Sequence, residues 1–209
     1  MFFFIACAPK PVMKAPMIYP EDLSLEDVTE RAGKDIAVLK AITEIRINRN
    51  NEPYDVVKAS VLVKRPGWIH MRMYKLGILV RDIVIKDEAV YVLSGKDSPG
   101  LRQLAREFYN AIFWWDDLAG GEMHSNGDEY VIRTDNKTIY VEKGNLMPLK
   151  QYIKVQNTTI LLTYDAHVEN DGFWYPSLIN LHAGDFMFSV VLKKVIKNPE
   201  LGPVDFQTP

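Results

Sequence analysis

The chain has 209 residues, 47% hydrophobic and 25% charged, with a formal net charge of −2. That balance suits a globular domain with a sizeable core and supplies no basic field to recruit nucleic acid. A single cysteine excludes a disulfide scaffold and a Cys-based zinc site, and no apolar run approaches the ~20 residues a membrane-spanning helix needs.

That cysteine, Cys7, ends the opening stretch MFFFIAC. On one reading it is an incidental thiol at the frayed apolar start of a cytosolic protein. On the other, Phe2 to Ile5 are the tail of a signal-peptide apolar region that begins upstream of Met1, and FIAC resembles a bacterial lipobox. The next residues favour the second reading. Ala8 to Asp22 carry four prolines and no apolar periodicity, the composition of a spacer between a lipidated cysteine and a folded domain. Acyl chains on Cys7 would each add ~0.8 kcal/mol of membrane affinity per buried methylene. The expected organisation is a remnant signal and lipobox over 1–7, a Pro-rich spacer over 8–22, one folded domain over 23–198 and an irregular tail over 199–209.

SLEDVTERAG predicts a short helix over 24–33, capped by Ser24 with Asp27 reaching back and stopped by Gly33. From Asp35 the period changes to two. Five strands follow at close spacing, broken by Asn50-Asn51, Pro66-Gly67, Leu76-Gly77 and Asp87-Glu88, which is the pattern of an antiparallel meander. Leu101, Leu104, Phe108 and Ile112 then recur at helical spacing and predict a helix over 99–115. Six more strands follow, with GGEMHSNGDE before them read as a loop and Lys193, Lys194 and Lys197 as the solvated edge of a strand, contact with anionic lipid being the lesser reading. The expected fold is mainly β, with helices: a curled, unclosed antiparallel sheet of about eleven strands, a half-barrel, with the two helices plugging its concave side.

Several strands are apolar on both faces, which is either plain core or the lining of a cavity. The candidate lining residues are Ile45, Ile47, Val61, Ile69, Met71 and Met73 from the first strands. Leu104 and Phe108 join them from the helix, and Leu162, Phe186 and Phe188 from the later strands. Methionines in such a wall re-pack around varied shapes. Leu76-Gly77 is unusual, because hairpin tips normally carry polar residues. Either the tip folds back on the core, or Leu76 protrudes to touch lipid. The four histidines lie on separate elements without metal-ligand spacing, and Asp116-Asp117 diverge by ~100° on a helix, so they read as a solvated helix end and not as an acid/base pair. No catalytic residue, metal site or cofactor is expected.

The lipobox-like start, the short helix, the strand block KASVLVKRPGWIHMRMYKLGILV, the helix beginning LRQLAREFY and the second strand block together resemble the LolA/LolB lipoprotein-localisation family over about residues 24 to 197. The resemblance implies an unclosed eleven-stranded barrel with a helical lid that holds acyl chains in an apolar cavity. Leu76 matches a protruding hairpin leucine that places lipoproteins in the membrane. Ala8 after the lipidated cysteine implies the outer membrane of a Gram-negative bacterium, with the protein facing the periplasm. The implied partners are acylated lipoproteins or another lipid and a LolA-type periplasmic carrier, with the protein itself a monomer. Two other readings stay open: a lipoprotein of this fold that binds a different apolar ligand, and an envelope interaction module without a ligand cavity.

Overall fold

The first and last strands of the domain pair with each other, and that pairing organises everything else. The computed structural model describes residues 13–19, 22–87, 89–96 and 99–209. Cys7 and Ser98 lie outside them. After helix α1 (Leu25–Gly33) come strands β1 (Val38–Arg49), β2 (Glu52–Lys64), β3 (Trp68–Lys75), β4 (Ile78–Lys86) and β5 (Ala89–Ser94). Helix α2 (Pro99–Ile112) is followed by β6 (Glu122–Asn126), β7 (Glu129–Arg133), β8 (Lys137–Glu142), β9 (Pro148–Val155), β10 (Thr158–Asn170), β11 (Phe173–Ala183) and β12 (Phe186–Lys197). The sheet order is β5-β4-β3-β2-β1-β12-β11-β10-β9-β8-β7-β6, with every described pair antiparallel. β1 and β12 sit at the centre, in register from Leu39 opposite Lys197 to Arg49 opposite Phe186. The edges β5 and β6 are consecutive in sequence and joined through α2, so the helix must cross the sheet to connect them. It packs against β3 and β11.

The expected half-barrel is therefore present with twelve strands, not eleven. The extra one is β6, cut from the stretch read as a loop. Its residues are almost all exposed, so it carries no apolar alternation, and only its ladder with β7 makes it a strand. Lys193, Lys194 and Lys197 are exposed but belong to β12, in the middle of the sheet. Lys193 and Lys194 lie on a central strand and guard no edge, while Lys197, level with Leu39, borders a cavity at the end of the strand. Helix α1 has the expected capping box between Ser24 and Asp27. Helix α2 ends at Ile112, short of 115, because Phe113 to Trp115 turn into the core. Among the described residues no helix is long and apolar enough to cross a membrane.

Both ends of the described chain are fastened in the same way. Part of the stretch expected to be a spacer is docked: the Ala15 amide donates to His167 Nδ1 at 3.1 Å, and the Ile18 and Tyr19 amides donate to the Gly144 carbonyl. At the other end Phe206 is buried on the outer face against Trp68, Val38 and Leu62, and its amide donates to His70 Nδ1 at 3.4 Å. His70 Nε2 in turn meets Asp82 at 2.8 Å. An Nδ1 that accepts a hydrogen bond must be unprotonated. Burial pushes both histidines below the ordinary value of 6.5, outweighing the opposing pull of Asp82 on His70. The unfolded chain then binds those protons more tightly than the folded one. The stabilisation is complete above about pH 6.5 and is lost as pH falls below it. Limited proteolysis should therefore nick both terminal segments at about pH 5.5 and spare them at about pH 7.5. Because glutamine keeps an acceptor at every pH, His70→Gln and His167→Gln should flatten that difference, each at its own end.

Candidate functional site

The concave face is filled. Ile45, Val61, Met71 and Leu162 have no measurable exposure, and Ile69, Met73, Leu104, Phe108 and Phe188 are 5% exposed or less. Ile47 and Phe186 are half-buried and pack on the same cluster. Of the eleven residues expected to line a cavity, Ile69 alone borders one of the cavities described here, a groove beside α2. With α2 in place the others are core, and sequence cannot separate the two roles, because core and cavity wall demand the same apolar side chains.

Under α2 lies a polar layer. Glu107 is buried and bonded by Gln103 and Asn110, and burial raises its pKa above the carboxylate range. Lys137 Nζ donates to the Asp116 carbonyl at 2.8 Å, and burial lowers its pKa. Gln151 Nε2 donates to the Asn110 carbonyl and to the Tyr164 hydroxyl, leaving its buried Oε1 without a partner. Asp116 is not the solvated helix end the sequence suggested. It accepts from Tyr109 and pairs with Arg65 at 2.5 Å, which ties the chain after α2 to the β2–β3 turn, while Asp117 is exposed. Beside this clamp is the open groove, of about 1180 Å³, walled by Arg65, Asp87, Arg106, Asp116 and Asp117 as well as apolar residues. Glu107, whose pKa burial raises, borders none of the cavities described here. Among the described residues no three His, Cys, Asp or Glu side chains converge as metal ligands.

At the far end of the strands is the β3–β4 hairpin. Leu76 and Gly77 both have positive φ, 51° and 81°, as a two-residue type I′ turn requires. Two other hairpin tips place Asn50-Asn51 and Asp171-Gly172 in that conformation, residues that tolerate it, and the β9–β10 tip places Gln156 there. A leucine there costs on the order of 1–2 kcal/mol. It gains nothing from burial, since Leu76 is 97% exposed. Ile78, Tyr54 and Val56 are exposed at the same end, beside the Lys75–Asp55 ion pair.

The enclosed apolar cavity sits at the opposite end of the strands and measures about 210 Å³. Its inner wall is buried: Leu39, Trp114, Leu146, Tyr175, Leu192 and Val195. The α1 end roofs it, the β8–β9 and β10–β11 connections form its sides, and Tyr19 of the docked N-terminal segment closes it, held by Arg31 at 5.1 Å from its ring. None of the eleven expected residues is among its lining. The signal that would have found it is a pair of aromatic triplets, Phe113-Trp114-Trp115 and Phe173-Trp174-Tyr175. The roof depends on Gly33. A Cβ there would meet Trp115 Nε1 at 2.5 Å, and that ring is locked edge-on between Phe113 and Trp114. Gly33→Ala should therefore cost about 1–3 kcal/mol by overpacking, more than the alanine gains in helix propensity, which is at most about 1 kcal/mol. A lower urea midpoint together with shifted tryptophan emission checks it.

No protein-family model and no curated protein matches the sequence. Solved structures do. A LolA superfamily protein from Nitrosomonas europaea aligns with TM-score 0.64 at 14% identity, over 90% of this chain and 99% of its own. A DUF1329 family protein from Desulfovibrio piger gives 0.56 at 14%, over 88% and 95%. A domain assigned to outer membrane lipoprotein sorting in Vibrio parahaemolyticus gives 0.53 at 14%, over 87% and 95%. Nearly complete overlap at such low identity is a likeness of architecture: the chain has the LolA-type fold.

Proposed function

We propose that this protein is an envelope lipid-binding receptor of the LolB kind. Anchored through Cys7 to the outer membrane and facing the periplasm, it takes acyl chains of lipoproteins from a LolA-type carrier and helps insert them into the membrane. The observation that carries this reading is Leu76, an apolar residue held fully exposed in a backbone conformation that disfavours it. Neither turn chemistry nor packing selects leucine there, whereas a lipid surface does.

The chemistry asked of the protein is solvent substitution. Each methylene moved out of water is worth ~0.8 kcal/mol, so chains cross the periplasm only inside an apolar wall. The concave face supplies that wall once α2 moves aside. Three features favour such a movement: the Arg65–Asp116 clamp at one point, the half-satisfied polar layer under the helix, and the adaptable Met71 and Met73 beneath it. Transfer needs no nucleotide if each acceptor along the route binds the chains more tightly than the last. A second reading, a LolA-fold lipoprotein whose ligand is a different lipid, is favoured by the small size of the enclosed cavity. Its volume of about 210 Å³ falls below the ~300–1,000 Å³ usual for ligand sites.

The test is a transfer assay. A LolA-type carrier loaded with a triacylated lipoprotein is mixed with the Cys7→Ala form and then with liposomes, with Leu76→Glu alongside. The lipoprotein should move onto this protein, and onward insertion should fail in the Leu76 variant. That variant's stability should stay within about 0.5 kcal/mol, because the side chain touches nothing. Insertion unaffected by Leu76→Glu would sink the role of the tip, and absence of uptake would sink the receptor.

A further inference from the structure

The enclosed cavity is electrostatically one-sided. Three cations, Arg31, Lys34 and Lys197, border it, and no carboxylate does, in a chain whose net charge is −2. All three are exposed, while the apolar side chains behind them are buried, so the charge is at the mouth and the oil is inside.

We infer that this cavity binds an amphiphile with a single apolar chain and an anionic head, chain inward, head among Arg31, Lys34 and Lys197. The inference rests on the reading that the interior takes lipid tails, and it adds which lipid. A neutral acylated cysteine gains nothing from three cations at the mouth, whereas a phosphate or carboxylate head does. The volume of about 210 Å³ admits one short chain, or the end of a longer one, and not three. The cations also set the depth of insertion, because a charged head stays in water at the rim while its tail follows the apolar wall.

Trp114, Trp115 and Trp174 border the cavity and report its occupancy by fluorescence. The full chain carrying Cys7→Ala is titrated below micelle formation with octyl phosphate, octanoate and the neutral glycerol ester of the same chain. Both anionic probes should bind about tenfold more tightly than the ester at low salt, and the preference should collapse at high salt, where the Debye length is about 3 Å. Lys34→Gln/Lys197→Gln, two exposed changes that leave folding intact, should weaken the anionic probes about fivefold and leave the ester unchanged. Inorganic phosphate should not compete. Equal affinity for all three probes, equal loss of all three in the double variant, or full competition by inorganic phosphate would each overturn the anionic site while leaving tail binding standing. If no probe changes the fluorescence, the cavity takes no amphiphile and the inference falls, while uptake by the concave face under α2 is judged by the transfer assay.

Discussion

The constraint on which the structure depends is the pairing of β1 with β12. Once the two terminal strands are hydrogen-bonded at the centre, the chain runs outward to β5, and its continuation must start again at the opposite edge with β6. Antiparallel neighbours need only short turns, but this one connection has to span the sheet. A helix laid over the concave face does so while burying the apolar surface that the curled sheet presents. The lid is therefore a topological necessity before it is a functional device. The aromatic run Phe113 to Trp115 then turns the chain under α1 and builds the inner wall of the cavity. β1 is also the best-packed place to anchor such a design, with Ile45 fully buried between β2 and β12.

The polar layer beneath α2 fits the same logic. A lid that never moved would be fastened by oil alone. Here Glu107, Lys137, Gln151 and Tyr164 sit where apolar residues would bind the helix more firmly, and Gln151 Oε1 is left unpaired. Buried polar groups that are only partly satisfied weaken an interface relative to hydrophobic packing, and they gain when water or a polar ligand reaches them. Apolar burial of Leu104, Ala105, Phe108 and Ala111 holds α2 down, while the few charged and polar contacts beside it, Arg65 with Asp116 among them, can be exchanged one at a time.

How much of this was readable beforehand follows from what each feature needed. Strands with one buried face announce themselves by alternation, as β1 does. A two-residue tip such as Leu76-Gly77 announces itself by position. β6 was invisible because an exposed edge strand owes its existence to its partner β7 and not to its own pattern. The central place of β12 was invisible for a related reason. Its exposed lysines look the same on an edge and on the outer face of a middle strand, and only long-range pairing tells them apart. The eleven interior positions are where hydrophobicity said they would be, yet the open cavity lies elsewhere. It forms where loops and a helix end meet, and loop geometry depends on contacts among residues more than 100 apart, such as Ala15 with His167.

The two candidate functional features lie at opposite ends of the strands. Leu39 of β1, Val195 of β12 and Tyr175 of β11 border the cavity, all at the end where β3 begins, and Leu76 follows the end where β3 finishes. From Ile69, level with Leu39 across β2, β3 runs seven residues to Leu76, roughly 23 Å at ~3.3 Å per residue. The described N-terminal residues dock at the cavity end, Ala15 on His167 and Tyr19 on the Gly144 carbonyl, so the segment that closes the cavity is fixed at the end of the strands away from Leu76.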